Sequence, residues 1–179
     1  MERDIKKVLL SEEQIKNRIA ELGRELMEDY ADKNPIFVGV LKGVVVFYAD
    51  MIRAFPAPCQ LDFMWISSYK GTHSSDMLVR QDVTADLKGR HVVILEDILD
   101  SGRSLQFTYQ HLLNKGAASV RICTLLDKPE GRKPGITIQA DYVGFTVPNE
   151  FLVGYGLDYN EKYRNLPYVG ILKPEVYEK

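Results

Sequence analysis

Three acidic residues lie within five positions near the middle of this 179-residue chain, at Glu96, Asp97 and Asp100. They directly follow residues 91–95, a largely apolar run that is typical of a buried β-strand. Like charges packed at the end of a strand destabilise a fold unless cations or hydroxyl donors contact them. The cluster therefore predicts a site for a ligand that supplies hydroxyl groups or a metal ion.

Small residues follow the acids at once, with Ser101, Gly102 and Ser104 at the predicted start of a helix. Small side chains let the backbone approach an anion, and the free amides at a helix N-terminus favour negative charge. Acids that bind hydroxyls beside such a turn suit a sugar phosphate, and Mg²⁺ prefers the same carboxylate and phosphate oxygens. A solvated turn with helix-capping acids is the simpler interpretation, but the whole nine-residue run behind a buried strand favours a ligand site.

Helical and strand patterns alternate along the chain, which predicts an α/β fold with a central, mainly parallel, twisted sheet flanked by helices. The first helix begins at a capping box formed by Ser11 and Gln14. The predicted strands cover residues 36–40, 60–67, 78–83, 91–95, 120–126 and 142–145, and the later helices cover 44–55 and 105–115. Ligands of such sheets bind beyond the carboxyl ends of the strands, so function is expected in the loops after Val40, Leu95 and Leu126.

Composition and charge narrow the class of protein. Hydrophobic residues make up 45% of the chain and charged residues 27%, which excludes a disordered protein and fits one domain over residues 1–179. The formal charge of −2 argues against general binding of nucleic acid. We expect neither a membrane span, which needs ~20 apolar residues, nor a signal peptide. Cys59 and Cys123 are expected to be reduced core residues of a cytoplasmic protein.

Residues 92–105, VVILEDILDSGRSL, resemble the phosphoribosyl pyrophosphate (PRPP) signature of the type I phosphoribosyltransferases. Ser101, where Thr is usual, keeps the hydroxyl group, and Leu152, where Val is usual, contributes mainly its backbone. Further motifs match the hypoxanthine(-guanine) phosphoribosyltransferases in order: LKG at 41–43, SY at 68–69, LDK at 126–128 and FLVGYGLDYNEKYR at 151–164. The resemblance covers nearly the whole chain and implies the type I phosphoribosyltransferase fold, with a small hood built from terminal segments.

The reaction of this family joins a 6-oxopurine to PRPP, releases pyrophosphate and gives a nucleoside monophosphate. The resemblance therefore implies an enzyme of purine salvage that converts hypoxanthine to IMP and guanine to GMP, with Mg²⁺ as cofactor. It also implies a homodimer or homotetramer whose partners are small-molecule substrates. The charge and the lack of a long apolar run predict that neither nucleic acid nor a membrane is among the partners.

The resemblance also implies where PRPP binds. Glu96 and Asp97 are implied to contact the ribose hydroxyls and, with Asp158, the magnesium ion. The peptide between Leu41 and Lys42 is implied to be often cis, in a loop that contacts pyrophosphate. An arginine suits pyrophosphate because its fork of donors matches phosphate oxygens. The residues implied to bind PRPP or its phosphates are Lys42, Gly43, Glu96, Asp97, Ser101, Gly102, Arg103, Ser104 and Arg164.

Asp100 corresponds to the general base of the family. A free aspartate is ionised at neutral pH, and the N7 proton of the purine becomes acidic as N9 bonds to C1′ of the ribose. Proton transfer to a positioned group typically contributes about 10²–10⁴-fold to a rate.

The resemblance implies that the Lys128 ammonium contacts the purine at O6. An ammonium has donors and no acceptor, so it suits an oxo group at C6 rather than an amino group. Phe151 is implied to stack on the purine ring, Leu152 to contact it through the backbone, and Asp158 to lie near it. Alone, Phe151 would be an ordinary core residue and Lys128 an ordinary surface residue.

Ser68 and Tyr69 begin a polar segment, and the resemblance implies that they close over the reaction centre as a lid that excludes water.

Three alternatives stay open. The chain could sense PRPP and bind nucleic acid as a regulator, although its charge and its joint retention of Asp100, Lys128 and Tyr69 argue against that. It could use xanthine or another base, because contacts to the 2-position are largely backbone. As a binding-only α/β domain it would release no pyrophosphate.

Overall fold

The structure is a computed structural model that describes residues 1–68 and 77–178. Short 3₁₀ turns cover Glu2–Asp4 and Pro129–Gly131. The helices and strands, in chain order, are β1 (Ile5–Leu10), α1 (Glu12–Tyr30), β2 (Ile36–Leu41), α2 (Val45–Arg53), β3 (Gln60–Ser68), β4 (Met77–Gln81), β5 (His91–Leu99), α3 (Arg103–Asn114), β6 (Ser119–Asp127), β7 (Tyr142–Thr146), β8 (Leu152–Val153), β9 (Val169–Leu172) and α4 (Pro174–Tyr177).

The main sheet has six strands in the order β4-β3-β2-β5-β6-β7, which confirms the predicted fold class. Neighbouring strands from β3 to β7 are parallel, and β4 pairs antiparallel with β3 at one edge. The chain passes from β2 outward to β3 on one side and from β5 outward to β6 on the other. The strand order therefore reverses between β2 and β5, and ligands of open α/β sheets bind at the carboxyl ends of strands at such a point.

The central strands β2, β5 and β6 are buried on both faces, and successive side chains of each strand point to opposite faces. In β5, Val93 and Leu95 join the core cluster formed with α1 and α2, whereas Val92 and Ile94 join the cluster formed with α3. Cys123 of β6 is buried in the first cluster, and Cys59 packs against it partly buried, both as free thiols.

A second, three-stranded sheet in the order β1-β9-β8 is built from both ends of the chain. This sheet is the hood that the resemblance predicted. Its strands pair antiparallel. The Tyr163 hydroxyl donates a hydrogen bond to Asp4 Oδ2 at 3.0 Å, and Lys173 Nζ donates to the Arg3 carbonyl at 2.6 Å, so the two termini hold each other.

Helix α1 begins as predicted, because Ser11 Oγ accepts from the Gln14 amide and the Gln14 side chain accepts from the Ser11 amide. The strand predicted at 91–95 was too short, because β5 runs four residues further to Leu99. Backbone pairing of β5 with β6 continues along that extension and outweighs its polar sequence. Among the described residues, no helix is both long and apolar enough to cross a bilayer.

Candidate active site

A cleft of about 390 Å³ opens where the strand order reverses, between the ends of β2, β5 and β6 and the hood. A smaller recess of about 80 Å³ adjoins it and shares Ile98 and Asp100 with it. The predicted site residues that line the cleft are Gly43, Asp97, Asp100, Lys128, Phe151, Leu152, Asp158 and Arg164, and those that line the recess are Glu96, Asp100, Ser101, Gly102 and Ser104.

Glu96 and Asp97 form a buried carboxylate pair inside β5, with exposed fractions of 8% and 9%. Glu96 Oε1 accepts from the Asp97 amide at 3.1 Å, and Asp97 Oδ1 accepts from the Ile98 amide at 2.8 Å. Burial, reinforced by the charge of Asp97, holds the pKa of Glu96 well above its usual range. Burial also raises the pKa of Asp97, although the interactions with Glu96 and Arg164 oppose it. A pair of this kind is ionised most readily when a cation or hydroxyl donors contact it.

Asp100 and Lys128 form an ion pair in the cleft, with 2.9 Å between Oδ2 and Nζ. Asp100 follows β5 and Lys128 follows β6, and these strands are neighbours in the sheet. The Lys128 side chain is 12% exposed and that of Asp100 is 45% exposed. The pair presents an ammonium donor and a carboxylate acceptor side by side at one wall of the cleft.

Residues 101–104 lie between β5 and the first turn of α3 and include that turn's first two residues. They are called the phosphate loop below, after the role that the resemblance implies. Gly102 has φ of +79° and is the N-cap residue of α3, and a side chain there would overlap Ile136. Within the described residues no side chain caps this helix, so the first-turn amides are free for an anion. Arg103 instead lines a separate groove along α3 with Gln106 and does not line the recess, so the predicted phosphate contact of its side chain is not seen among the described residues.

The loop after β2 contains a cis peptide between Leu41 and Lys42, in agreement with the resemblance. Lys42 Nζ lies 3.3 Å from Glu161 Oε2 and 6.0 Å from the centre of the Trp65 ring. A Cβ atom on Gly43 would overlap Asp97 Oδ2. This position therefore requires glycine, because the loop backbone lies directly against the buried carboxylate.

Arg164 lies at the wall of the cleft among oxygen acceptors. Its Nη1 donates to the Gly156 carbonyl at 2.7 Å, and its Nη2 lies 3.1 Å from Asp158 Oδ1 and 3.2 Å from Glu161 Oε1. Its Nε is buried and has no hydrogen-bond partner among the described residues. The guanidinium thus retains an unused donor beside the cleft.

Phe151 lies at the junction of the cleft and the hood. Its ring stacks on Tyr177 with centres 4.7 Å apart and is nearly perpendicular to the Tyr159 ring, with centres 5.5 Å apart. Leu152, the first residue of β8, is buried. The aromatic contacts fix the orientation of the Phe151 ring beside Lys128 in the cleft wall.

Some predicted residues are not brought together. Within the described ranges no three acidic, His or Cys side chains form a metal-binding group, so Glu96, Asp97 and Asp158 do not make one. Asp158 pairs with Arg164 instead. Ser68 ends β3 opposite Met77 of β4, whereas Tyr69 lies outside the described residues.

Arg132 and Glu161 were not identified from the sequence. Glu161 pairs with Lys42 and Arg164, and in the sequence it is one of several charged residues in a polar stretch. Arg132 follows a turn, and an arginine after a turn carries no distinguishing spacing. Its guanidinium donates to the carbonyls of Leu99, Asp100 and Lys128 and pairs with Asp127.

A buried acid pair beside a glycine-containing loop, at the point where a parallel sheet reverses its strand order, is the arrangement that the resemblance predicted for a phosphoribosyltransferase. The family model described as "Phosphoribosyl transferase domain" matches residues 7–160 of the chain.

Individual relatives narrow the assignment. A hypoxanthine-guanine phosphoribosyltransferase of Streptococcus pneumoniae is 54% identical and covers 99% of this chain and 98% of its own. The structure of a hypoxanthine phosphoribosyltransferase from Staphylococcus aureus has a TM-score of 0.95 and 46% identity, with coverage of 100% and 97%. That of the Trypanosoma cruzi hypoxanthine phosphoribosyltransferase, in complex with the product IMP, has a TM-score of 0.91 and 38% identity, with coverage of 97% of each chain. The chain belongs to the hypoxanthine-guanine phosphoribosyltransferase family.

Proposed function

We propose that this chain is a purine salvage enzyme that transfers the 5-phosphoribosyl group of PRPP to hypoxanthine and guanine, giving IMP and GMP plus pyrophosphate. Residues 1–179 form a single phosphoribosyltransferase domain in this proposal. The observation that carries it is the Lys128–Asp100 pair, 2.9 Å apart, in a cleft that adjoins both the buried acid pair and the phosphate loop.

PRPP binds with its 5′-phosphate on the phosphate loop. The backbone amides of the first turn of α3, with the hydroxyls of Ser101 and Ser104, donate to the phosphate oxygens. The ribose hydroxyls donate to Glu96 and Asp97, which relieves the repulsion between these buried carboxylates. The pyrophosphate group contacts Arg164 and the loop of Lys42 and Gly43, and the buried, unpartnered Nε of Arg164 supports this placement.

The purine is selected by the edge that carries position 6 and N7. Hypoxanthine and guanine present an acceptor, O6, which receives a hydrogen bond from the Lys128 ammonium. Adenine presents an amino donor there, which meets the ammonium donor to donor. A hydrogen bond to a charged group contributes about 1.5–3 kcal/mol, so the mismatch disfavours adenine strongly. Phe151 stacks on the ring, and Leu152 and Asp158 complete the pocket.

In the transfer step, the N9 lone pair of the purine forms a bond to C1′, and the bond from C1′ to pyrophosphate breaks with its electron pair leaving on pyrophosphate. The purine ring becomes positive, and its N7 proton passes to Asp100. The carboxylate lies beside Lys128, so one wall of the cleft binds O6 and accepts the proton from the adjacent N7. Arg164 and Lys42 stabilise the charge of the leaving group.

Mg²⁺ fits the donors present. Protein sites usually bind it through one or two carboxylates, with substrate phosphates and water completing the octahedron. The resemblance implies Glu96, Asp97 and Asp158 as the residues that would hold it. Because these three do not form one metal-binding group in the described ranges, one or two of them would hold the ion together with oxygens of PRPP. When bound, the ion neutralises negative charge on the pyrophosphate and the acids. A lid that includes Ser68 and Tyr69, a homodimer or homotetramer and a cytoplasmic location also belong to the proposal.

The direct test supplies PRPP and Mg²⁺ with hypoxanthine, guanine, xanthine or adenine, and identifies the nucleotide by mass spectrometry while pyrophosphate release is measured. We expect IMP and GMP, no AMP, and no product when a chelator removes the metal. XMP formed at a comparable rate would extend the substrate class to xanthine. Absence of any nucleotide would refute the proposal, and nucleic-acid binding without transfer would favour the regulator.

A further inference from the structure

Arg132 contacts the backbone of both residues that are proposed to meet the purine edge. Its Nη1 donates to the Asp100 carbonyl at 2.9 Å and to the Lys128 carbonyl at 3.1 Å, and the Leu99 carbonyl accepts from the same nitrogen at 2.7 Å. Its Nη2 pairs with Asp127, the last residue of β6. The side chain is 20% exposed, and its guanidinium joins the ends of two neighbouring strands.

The sheet itself does not fix these two residues. The last pair of the ladder between β5 and β6 is Leu99 with Asp127, so Asp100 and Lys128 both lie one residue beyond it. One backbone hydrogen bond, from the Lys128 amide to the Leu99 carbonyl at 3.0 Å, continues past that point. The guanidinium of Arg132 then contacts both carbonyl groups directly.

The turn that carries Arg132 also packs against the catalytic carboxylate and the phosphate loop. A Cβ atom on Gly131 would overlap Asp100 Oδ1, so the turn lies in direct contact with this side chain. The Lys133 amide donates to the Ser101 carbonyl at 3.2 Å. The turn after β6 therefore packs against the segment that holds Asp100. In the proposed mechanism, no substrate occupies that side of the segment.

We propose that Arg132 is a positioning residue for the transfer reaction. Its guanidinium fixes the backbones of Asp100 and Lys128 relative to each other, and so sets the spacing of the carboxylate and ammonium that meet N7 and O6. This inference rests on the proposed function of the cleft. Arg132 acts through the two residues and contacts neither substrate.

A merely structural arginine would behave differently. If Arg132 only stabilised the fold through its pair with Asp127, its loss would lower the stability and leave the kinetics of the folded protein unchanged. If it positions the purine-contacting pair, its loss lowers kcat and raises the KM for the purine, whereas the KM for PRPP changes little. The ratio of these effects separates the two roles.

The matched control is Arg90, which also donates to a backbone carbonyl, that of Asn34 at 2.9 Å, and to Gln60 Oε1 at 3.0 Å. It precedes β5 and so lies at the opposite end of the sheet from the cleft. For Arg132→Met we expect kcat to fall about 10–100-fold, the cost of a misplacement near 1 Å, and the KM for hypoxanthine to rise. Arg90→Met should keep the parent kinetics.

Two further variants distinguish geometry from charge and from folding. Arg132→Lys keeps the charge but lacks the planar fork, so we expect it to stay impaired. Arg132→Ala should regain turnover when millimolar guanidinium is added, whereas Arg90→Ala should show no such response. Circular dichroism and thermal unfolding report whether each variant is folded.

The outcomes are decisive in either direction. Parent-like kcat and purine KM in folded Arg132→Met would overturn the proposal. An equal rise in the KM values for PRPP and purine, together with no recovery of Arg132→Ala turnover in guanidinium, would also overturn it. If the parent protein forms no nucleotide, the proposed function fails by itself. The crystal structure of Arg132→Met then still tests the positioning, because an unchanged 2.9 Å contact between Lys128 Nζ and Asp100 Oδ2 would refute it.

Discussion

Burial divides the three central carboxylates between two kinds of chemistry. Glu96 and Asp97 are nearly inaccessible, and burial raises the pKa of both, so they gain most from a ligand that brings positive charge or hydroxyl donors. Asp100, at the end of the same segment, is partly exposed and paired with Lys128, which leaves it accessible to a proton on a substrate. In the proposed function, residues only three or four positions apart therefore hold the sugar and accept the proton.

Replacing Asp100 with asparagine tests the proton acceptor. Asp100→Asn keeps the size and shape of the side chain, but it exchanges one acceptor oxygen for an amide donor and cannot take the N7 proton. We expect kcat to fall by about 10²–10⁴-fold, while PRPP still binds with parent affinity in a calorimetric titration. Asp32→Asn, at an exposed turn after α1, is the control. An unimpaired rate in Asp100→Asn would remove this residue from the mechanism.

Replacing Glu96 with glutamine separates stability from binding. The change removes a buried carboxylate that lies beside Asp97, so the free energy of unfolding of the ligand-free protein should rise. The affinity for PRPP should fall about 10- to 100-fold, because an amide replaces a charged acceptor for the ribose hydroxyls. Urea unfolding and PRPP titration measure the two quantities. A variant that loses both stability and affinity would contradict this account.

At the scale of elements, regular patterns were predictable and contacts between distant segments were not. The capping box of α1 and the apolar strands are local signals, and they agree with the structure. The predicted end of β5 was wrong, because the last residues of this strand are polar in sequence and are held in the sheet by pairing with β6. The contacts of Arg132 with two strand ends depend on how a turn packs in three dimensions, and the spacing of residues in the sequence does not predict that packing.

An ion-pair cluster joins β4 to α3, the helix that begins at the phosphate loop. Asp82 lies 3.0 Å from His111 Nε2 and 3.1 Å from Lys115 Nζ. Burial raises the pKa of Asp82, but the hydrogen bonds from His111 and Lys115 outweigh it and hold the pKa below the usual 3.8. A carboxylate with a lowered pKa in the folded state stabilises the fold above its unfolded pKa and loses that contribution as the pH falls.

Asp82→Asn should therefore destabilise the protein at neutral pH and much less in acid. Because the group is about a third exposed, we expect a loss of about 0.5 kcal/mol at pH 7, which fades below about pH 4. Urea unfolding at several pH values measures it, with Asp32→Asn as the control for removal of an exposed charge. A loss of unfolding free energy that grows as the pH falls would contradict this prediction.

Considered as a whole, the molecule places its cleft between two separately built parts. The main sheet contributes Asp97, the residues just beyond β5 and β6 contribute Asp100 and Lys128, and the hood side contributes Phe151 and Arg164. A nucleotide in the cleft contacts both parts, so its binding energy opposes their separation during unfolding. The predicted fold class implied this arrangement, but the hood was known only from the resemblance, because β8 has two residues and no strand pattern of its own.

Product binding should accordingly stabilise the whole chain and do so with purine selectivity. At 100 times its Kd, IMP should add about 2.7 kcal/mol to the free energy of unfolding, which raises the Tm by about 5–10 °C for a chain of this length. AMP at the same concentration should give a much smaller shift, because its amino group meets the Lys128 ammonium. Lys128→Gln, which offers both a donor and an acceptor, should bring the two shifts closer together. Differential scanning fluorimetry measures all of these, and equal shifts from IMP and AMP in the parent protein would contradict the assignment of Lys128 to the purine O6.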